Sequence, residues 1–225
     1  MSPSIFLLPG WPFSAQAMHG LADHLANQRL PARLLELPWH AGASPDAWVD
    51  RLMADIDENS ILVGWSLGGM LASKLAERSP ERVERVVMLG SNVRFIQDSS
   101  WPTAMVPATF ERFYQLFKRR PETAIAQFEQ LCIAPNPPID VMTYRANVPY
   151  DHMRAGLDVL AGLTLNTPPA RPTAALLARG DRLVPKTAAA ALARSGIATD
   201  LIEGSHHDLI TQPEALKWVA RQVRP

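Results

Sequence analysis

Short apolar runs recur along the chain, separated by stretches whose apolar residues fall at helical intervals. Ile5-Phe6-Leu7-Leu8 is continuous, and ends at Pro9-Gly10. Such a run reads as a strand covered on both faces, as in a parallel sheet. From Ala15 to Asn27, Met18, Leu21, Ala22 and Leu25 have helical spacing. Ala32 to Leu37 reads as a second strand, stopped at Pro38. Pro45 to Asp57 reads as a helix with Trp48, Leu52 and Ile56 on one side. Ile61-Leu62-Val63 predicts a third strand, followed by a helix from Met70 to about Arg78. Val83 to Leu89 predicts a fourth, with the valine content of a central strand.

The rhythm then breaks. From Ser91 to about Arg171 no run reads as a strand, and helical spacing returns only in Pro107 to Lys118 and Glu122 to Cys132. Prolines cluster at Pro135, Pro137 and Pro138, and again at Pro168, Pro169 and Pro172. Afterwards Thr173 to Leu177 predicts a strand, Lys186 to Arg194 a helix, Thr199 to Ile202 a strand and Pro213 to Val223 a closing helix. Strands alternating with helices imply an α/β fold: a mostly parallel sheet with helices on both faces. Residues 1–90 and 172–225 are expected to form this core, and residues 91–171 an inserted helical cap.

Composition narrows the class. The 225 residues suit one domain; 47% are hydrophobic and 20% charged, an ordinary soluble balance. Acidic and basic residues number 22 each, so no net field draws the chain to nucleic acid or an anionic membrane. A single cysteine, Cys132, excludes an internal disulfide and fits a reducing compartment. The first residues carry no positive n-region, and Ile5 to Leu8 is too short for a signal core or a membrane span. The expectation is a cytoplasmic protein.

One pentapeptide carries chemistry. Gly64-Trp65-Ser66-Leu67-Gly68 matches G-x-S-x-G, between a predicted strand and a predicted helix. This is the setting of a nucleophile elbow, and it identifies the α/β-hydrolase fold. Ser66 is the expected nucleophile. A serine hydroxyl attacks only when a base takes its proton, and in this fold the order is Ser, acid, His. Of six histidines, only His206 and His207 lie beyond the last strand. His206, just after Gly204-Ser205, is the expected base. Asp181, on the loop after Thr173 to Leu177, is the expected acid, with Asp208 and Asp158 as weaker choices. Two backbone N–H groups should face the developing oxyanion: Leu67, the residue after the nucleophile, and Trp11, in the loop after the first strand. Pro12 has no N–H to offer. Phe110, Phe113, Tyr114 and Phe117 at helical spacing read as cap core.

These segments resemble the BioH family, the pimeloyl-[acyl-carrier protein] methyl ester esterases of biotin synthesis. Leu7-Leu8-Pro9-Gly10-Trp11 resembles the family's oxyanion loop, and Gly64 to Ser73 its nucleophile segment, including the tryptophan before the serine. Ser91-Asn92, Trp101-Pro102, Phe128 to Cys132, Gly180 to Pro185 and Ser205-His206 are similar to further family segments. The likeness implies a serine carboxylesterase acting on a pimeloyl methyl ester, with activity on short esters. It implies no cofactor and no metal, substrate contacts at Trp11 and Phe128, and an acyl-carrier protein as partner. A monomer is expected. The chain departs from the family at Pro12, where glycine is usual, and at Thr123 and Gln127, where arginines are expected. Its cap cations are Arg112, Lys118, Arg119, Arg120, Arg145 and Arg154. Another Ser-His-Asp enzyme of the fold, such as a general esterase or thioesterase, is the alternative, and a non-enzymatic binding protein a third.

Overall fold

A computed structural model describes residues 3–42, 44–135 and 144–224. Pro137 and Pro138 of the first proline cluster lie outside the described residues. Six parallel strands form one sheet: β1 (Ser4–Leu8), β2 (Ala32–Leu34), β3 (Ser60–Trp65), β4 (Val83–Leu89), β5 (Thr173–Ala178) and β6 (Ala198–Ile202). Their order is β2-β1-β3-β4-β5-β6. Every residue of β3 and β5 is buried, as the continuous apolar runs require, whereas β2 and β6 at the edges alternate.

Eight α-helices are described: α1 (His19–Asn27), α2 (Pro45–Met53), α3 (Leu67–Arg78), α4 (Pro107–Arg119), α5 (Pro121–Ile133), α6 (Tyr150–Gly162), α7 (Ala188–Arg194) and α8 (Pro213–Gln222). The chain steps left from β1 to β2, then right across β1 to β3. With right-handed crossovers, α1 and α2 therefore fall on opposite faces. Accordingly α1 packs with α8, and α2 with α3. Proline opens α2, α4, α5 and α8, at a position where no N–H is needed and φ is already helical. That accounts for part of the high proline content.

Several elements differ in length from the sequence expectation. β2 stops at Leu34, not Leu37, because its partner β1 ends at Leu8-Pro9. One further bond, Leu35 N–H to Leu7 O at 2.9 Å, is made beyond it. α2 ends at Met53 instead of Asp57, although Ile56 is still buried. α3 begins at Leu67, directly after Ser66, rather than at Met70. α6 had no counterpart in the sequence reading; Met153, Leu157 and Leu160 are its buried face.

The chain changes direction between β1 and β3, and the switch point lies beyond their carboxyl ends. In open parallel sheets this is where ligands bind. The loop Pro9-Gly10-Trp11 and the turn at Ser66 both leave the sheet there. Helices α4, α5 and α6 lie between β4 and β5 in the chain. They are tied to this end of the sheet by Trp11, whose indole N–H donates to Met153 O at 2.8 Å. Its ring meets Phe113, Phe117 and Phe128 edge-on, with centroids 5.8, 5.8 and 4.8 Å away.

Candidate active site

Ser66 is the single residue between β3 and α3, with φ 55° and ψ −119°. A serine held at positive φ costs on the order of 1–3 kcal/mol, so the surroundings must over-determine it. They do. Its N–H donates to Leu89 O at 2.8 Å, and its carbonyl accepts from Gly69 N–H at 3.0 Å, Met70 N–H at 3.3 Å and Ser91 Oγ–H at 2.7 Å. Gly68 is required by close approach: a Cβ there would sit 2.4 Å from Leu8 O, in the neighbouring strand. The glycines of the pentapeptide thus let β1 and α3 close on the turn.

The side chains of Asp181 and His206 meet. Asp181 Oδ2 lies 2.6 Å from His206 Nδ1, and both side chains are almost fully buried. The other carboxylate oxygen accepts from Leu183 N–H at 2.7 Å and Val184 N–H at 3.0 Å. With Asp181 accepting on both sides, the fitting tautomer carries its proton on Nδ1 and leaves Nε2 with a free lone pair. Nε2 is buried and has no hydrogen-bond partner among the described residues. The imidazole reaches this end of the sheet because position 90 has no side chain. A Cβ on Gly90 would lie 2.8 Å from His206 Cε1 and Nδ1. An imidazole held this way can take a proton at Nε2 while Asp181 stabilises the resulting cation.

The β1 loop presses on the elbow from the other side. A Cβ on Gly10 would be 2.8 Å from Ser66 Cβ, so the main chain next to Trp11 touches the serine. Leu67 opens α3, where N–H groups have no partner within the helix. Trp11 and Phe128 are both buried and in mutual edge contact.

The remaining candidates have other partners. His207 is buried, 6.2 Å centroid to centroid from Trp65, and burial pushes its pKa below the ordinary histidine value. Asp208 accepts from Ser205 N–H at 2.6 Å, and Asp158 from Tyr114 Oη–H at 2.6 Å. Burial, with the charges of Asp181 and Glu129, pushes the Cys132 thiol well up, so it is a packing residue. Arg145 is not a free cap cation. Its guanidinium forks onto both oxygens of buried Glu129, each at 2.9 Å, and reaches Glu122 at 2.7 Å. Arg154 pairs with Asp151 at 3.3 Å.

Sequence reasoning missed Gly90 and the bond from Ser91 to the Ser66 carbonyl. The only signal was a Gly-Ser pair at the end of β4.

A family model described as "Alpha/beta hydrolase family" matches residues 5–220. The chain belongs to the alpha/beta hydrolase family. Among curated relatives, the pimeloyl-[acyl-carrier protein] methyl ester esterase of Aeromonas hydrophila subsp. hydrophila is 30% identical over 237 residues, 94% of this chain and 91% of that one. The enzyme of the same name from Chromobacterium violaceum is 33% identical over 133 residues, 56% of this chain and 52% of its own. In two others as well the match spans about half the relative's length, 55% and 48%. Among solved structures, an esterase from Exiguobacterium antarcticum superposes with TM-score 0.84 over 100% of this alpha/beta hydrolase and 92% of that chain. At 14% identity it speaks for the fold alone. No helix among the described residues is long and apolar enough to cross a membrane.

Proposed function

We propose that this chain is a serine esterase that hydrolyses the methyl ester of a pimeloyl chain carried on acyl-carrier protein. The observation that carries the chemistry is the buried Asp181–His206 contact of 2.6 Å, at the same end of the sheet as a serine held at positive φ. The substrate assignment draws on the resemblance to relatives of that name, one of which is matched over 91% of its length.

Ser66 Oγ attacks the ester carbonyl as its proton passes to His206 Nε2. The N–H groups of Leu67 and Trp11 stabilise the tetrahedral oxyanion, which is the largest electrostatic demand of the reaction. The intermediate collapses, the C–O bond to the methoxy group breaks, and Nε2 returns the proton to leaving methanol. Water then gives a proton to His206 and attacks the acyl-enzyme, releasing the pimeloyl acid and restoring Ser66. Trp11 and Phe128 would bound the acyl chain, with the carrier protein remaining outside α4 to α6. In this reading the enzyme works in the cytoplasm as a monomer.

The test is methanol release by the purified chain from the carrier-bound methyl ester, compared with hydrolysis of a p-nitrophenyl ester. Turnover of both is expected. Turnover of the small ester alone would favour the general esterase. If Ser66 also failed to react with a fluorophosphonate probe, the protein would be a non-enzymatic binder.

A further inference from the structure

We infer that Trp65 is a positioning residue that holds the His206 loop in register with the nucleophile. The inference rests on reading His206 as the base. Trp65 ends β3 and is joined by its own peptide bond to Ser66. It is 1% exposed, and its indole N–H donates to the backbone carbonyl of His206 at 3.1 Å. The same ring lies 5.3 Å from the His206 imidazole, centroid to centroid, and stacks on Phe13 at 5.0 Å with an interplanar angle of 30°. One rigid side chain therefore connects the two groups between which the proton must pass, across 141 residues of sequence.

Other bonds hold the loop on either side of His206, Gly180 N–H to Gly204 O at 2.9 Å and Thr211 Oγ–H to His207 O at 3.1 Å, and the Trp65 bond acts on His206 itself. The Asp181 contact fixes His206 through Nδ1, and so fixes the ring's tautomer and one end of its axis. It leaves the ring able to pivot with its backbone, because Nε2 has no partner among the described residues. Holding the His206 carbonyl removes that pivot. Proton transfer depends steeply on distance, and a misplacement of about 1 Å can cost on the order of 100-fold in rate. Trp65 does not exchange a proton or accept charge; it acts through His206.

Trp65→Phe keeps an aromatic ring and removes the donor, at the risk of leaving a gap. Site-specific replacement with 3-benzothienylalanine keeps the volume and exchanges only the N–H for sulfur. Both are expected to lower kcat for a p-nitrophenyl ester roughly 10- to 100-fold with KM near the original value. 5-Fluorotryptophan, which retains the N–H, should recover most of that loss. An unchanged kcat in the folded benzothienyl protein would overturn the inference. So would a rise in KM at constant kcat, which would make Trp65 a substrate contact instead. His206→Ala run in parallel separates the two readings. If it keeps activity, the assignment of the base fails. If it abolishes activity while the benzothienyl protein is fully active, only the role of Trp65 fails.

Discussion

At the carboxyl end of the sheet, the parts of the site are held by the main chain. Ser66 is fixed by its own N–H and carbonyl, Asp181 by two backbone N–H groups, and the His206 loop by its carbonyl. In the helical segment between β4 and β5 side-chain ties are added to a few main-chain ones, such as Ala146 N–H to Pro12 O at 2.9 Å. There Arg145 bridges Glu129 and Glu122, Tyr114 reaches Asp158, Glu122 accepts from Tyr150, and phenylalanine rings meet Trp11. A tie with backbone groups on both sides, as in Ser66 N–H to Leu89 O, survives exchange of most side chains, whereas the bonds from Ser91 and Trp65 depend on those two residues. Side-chain ties vary with each substitution, which suits a segment that would select the acyl chain and the carrier.

The largest effect should come from the main-chain half. Ser66→Ala and His206→Ala are each expected to lower kcat on the order of 10⁶-fold, because such residues act as a unit. His207→Ala should leave most of the activity. Steady-state hydrolysis of a p-nitrophenyl ester checks all three, and the reverse order of the two histidines would break the site as drawn.

Next in size is the central tie of the helical segment. Arg145→Met leaves Glu129 charged, buried and unpaired, and should destabilise the protein by about 3–5 kcal/mol. Adding Glu129→Leu should recover most of that loss, since two apolar residues of similar volume can replace a buried pair. Denaturant midpoints measure both. Fluorophosphonate labelling of Ser66 below the unfolding transition should persist, which would sharpen the division between the halves.

A smaller effect is expected at the exposed end of α4. Lys118, Arg119 and Arg120 are exposed and make no ion pair among the described residues, unlike Arg145 and Arg154. Three cations also suit a helix carboxyl terminus without any partner. Reversing Arg119 and Arg120 to glutamate should slow turnover of the carrier-bound ester on the order of tenfold at low salt. The difference should fade as salt rises, with small-ester hydrolysis unchanged. Equal loss on both substrates would return these residues to a structural role.

The smallest effect concerns pH. Burial holds the His207 pKa below that of the unfolded chain. The unfolded state therefore binds this proton first as pH falls, so the folded state loses stability through the histidine range, roughly pH 7 to 5. His207→Gln should flatten that acid-side loss in thermal midpoints. An unchanged slope would assign the acid sensitivity to other groups.

How much was legible in the sequence varies between the same two regions. The apolar runs of β1, β3 and β5 and the valines of β4 pointed to a covered parallel sheet, and β4 was read to the residue. The turn at Ser66 was legible because G-x-S-x-G is a local requirement of it, and chain order and loop position pointed to Asp181 and His206, whose side chains lie 2.6 Å apart. In the helical segment, α4 and α5 showed through their spacing, but α6 did not. Gly156 weakens its local helix propensity, and its place is set by packing under the indoles of Trp11, Trp39 and Trp48.

The sequence by itself therefore determined the sheet, the turn at Ser66 and the residues proposed as nucleophile, acid and base. All of these rest on local patterns or on order along the chain. Only the tertiary structure decided that Gly90 admits the imidazole, that Ser91 bonds the Ser66 carbonyl and Trp65 the His206 carbonyl, and that Arg145 is held within a buried ion pair. Each joins elements distant in the chain, and a hydrogen bond across 141 residues leaves no periodicity to read.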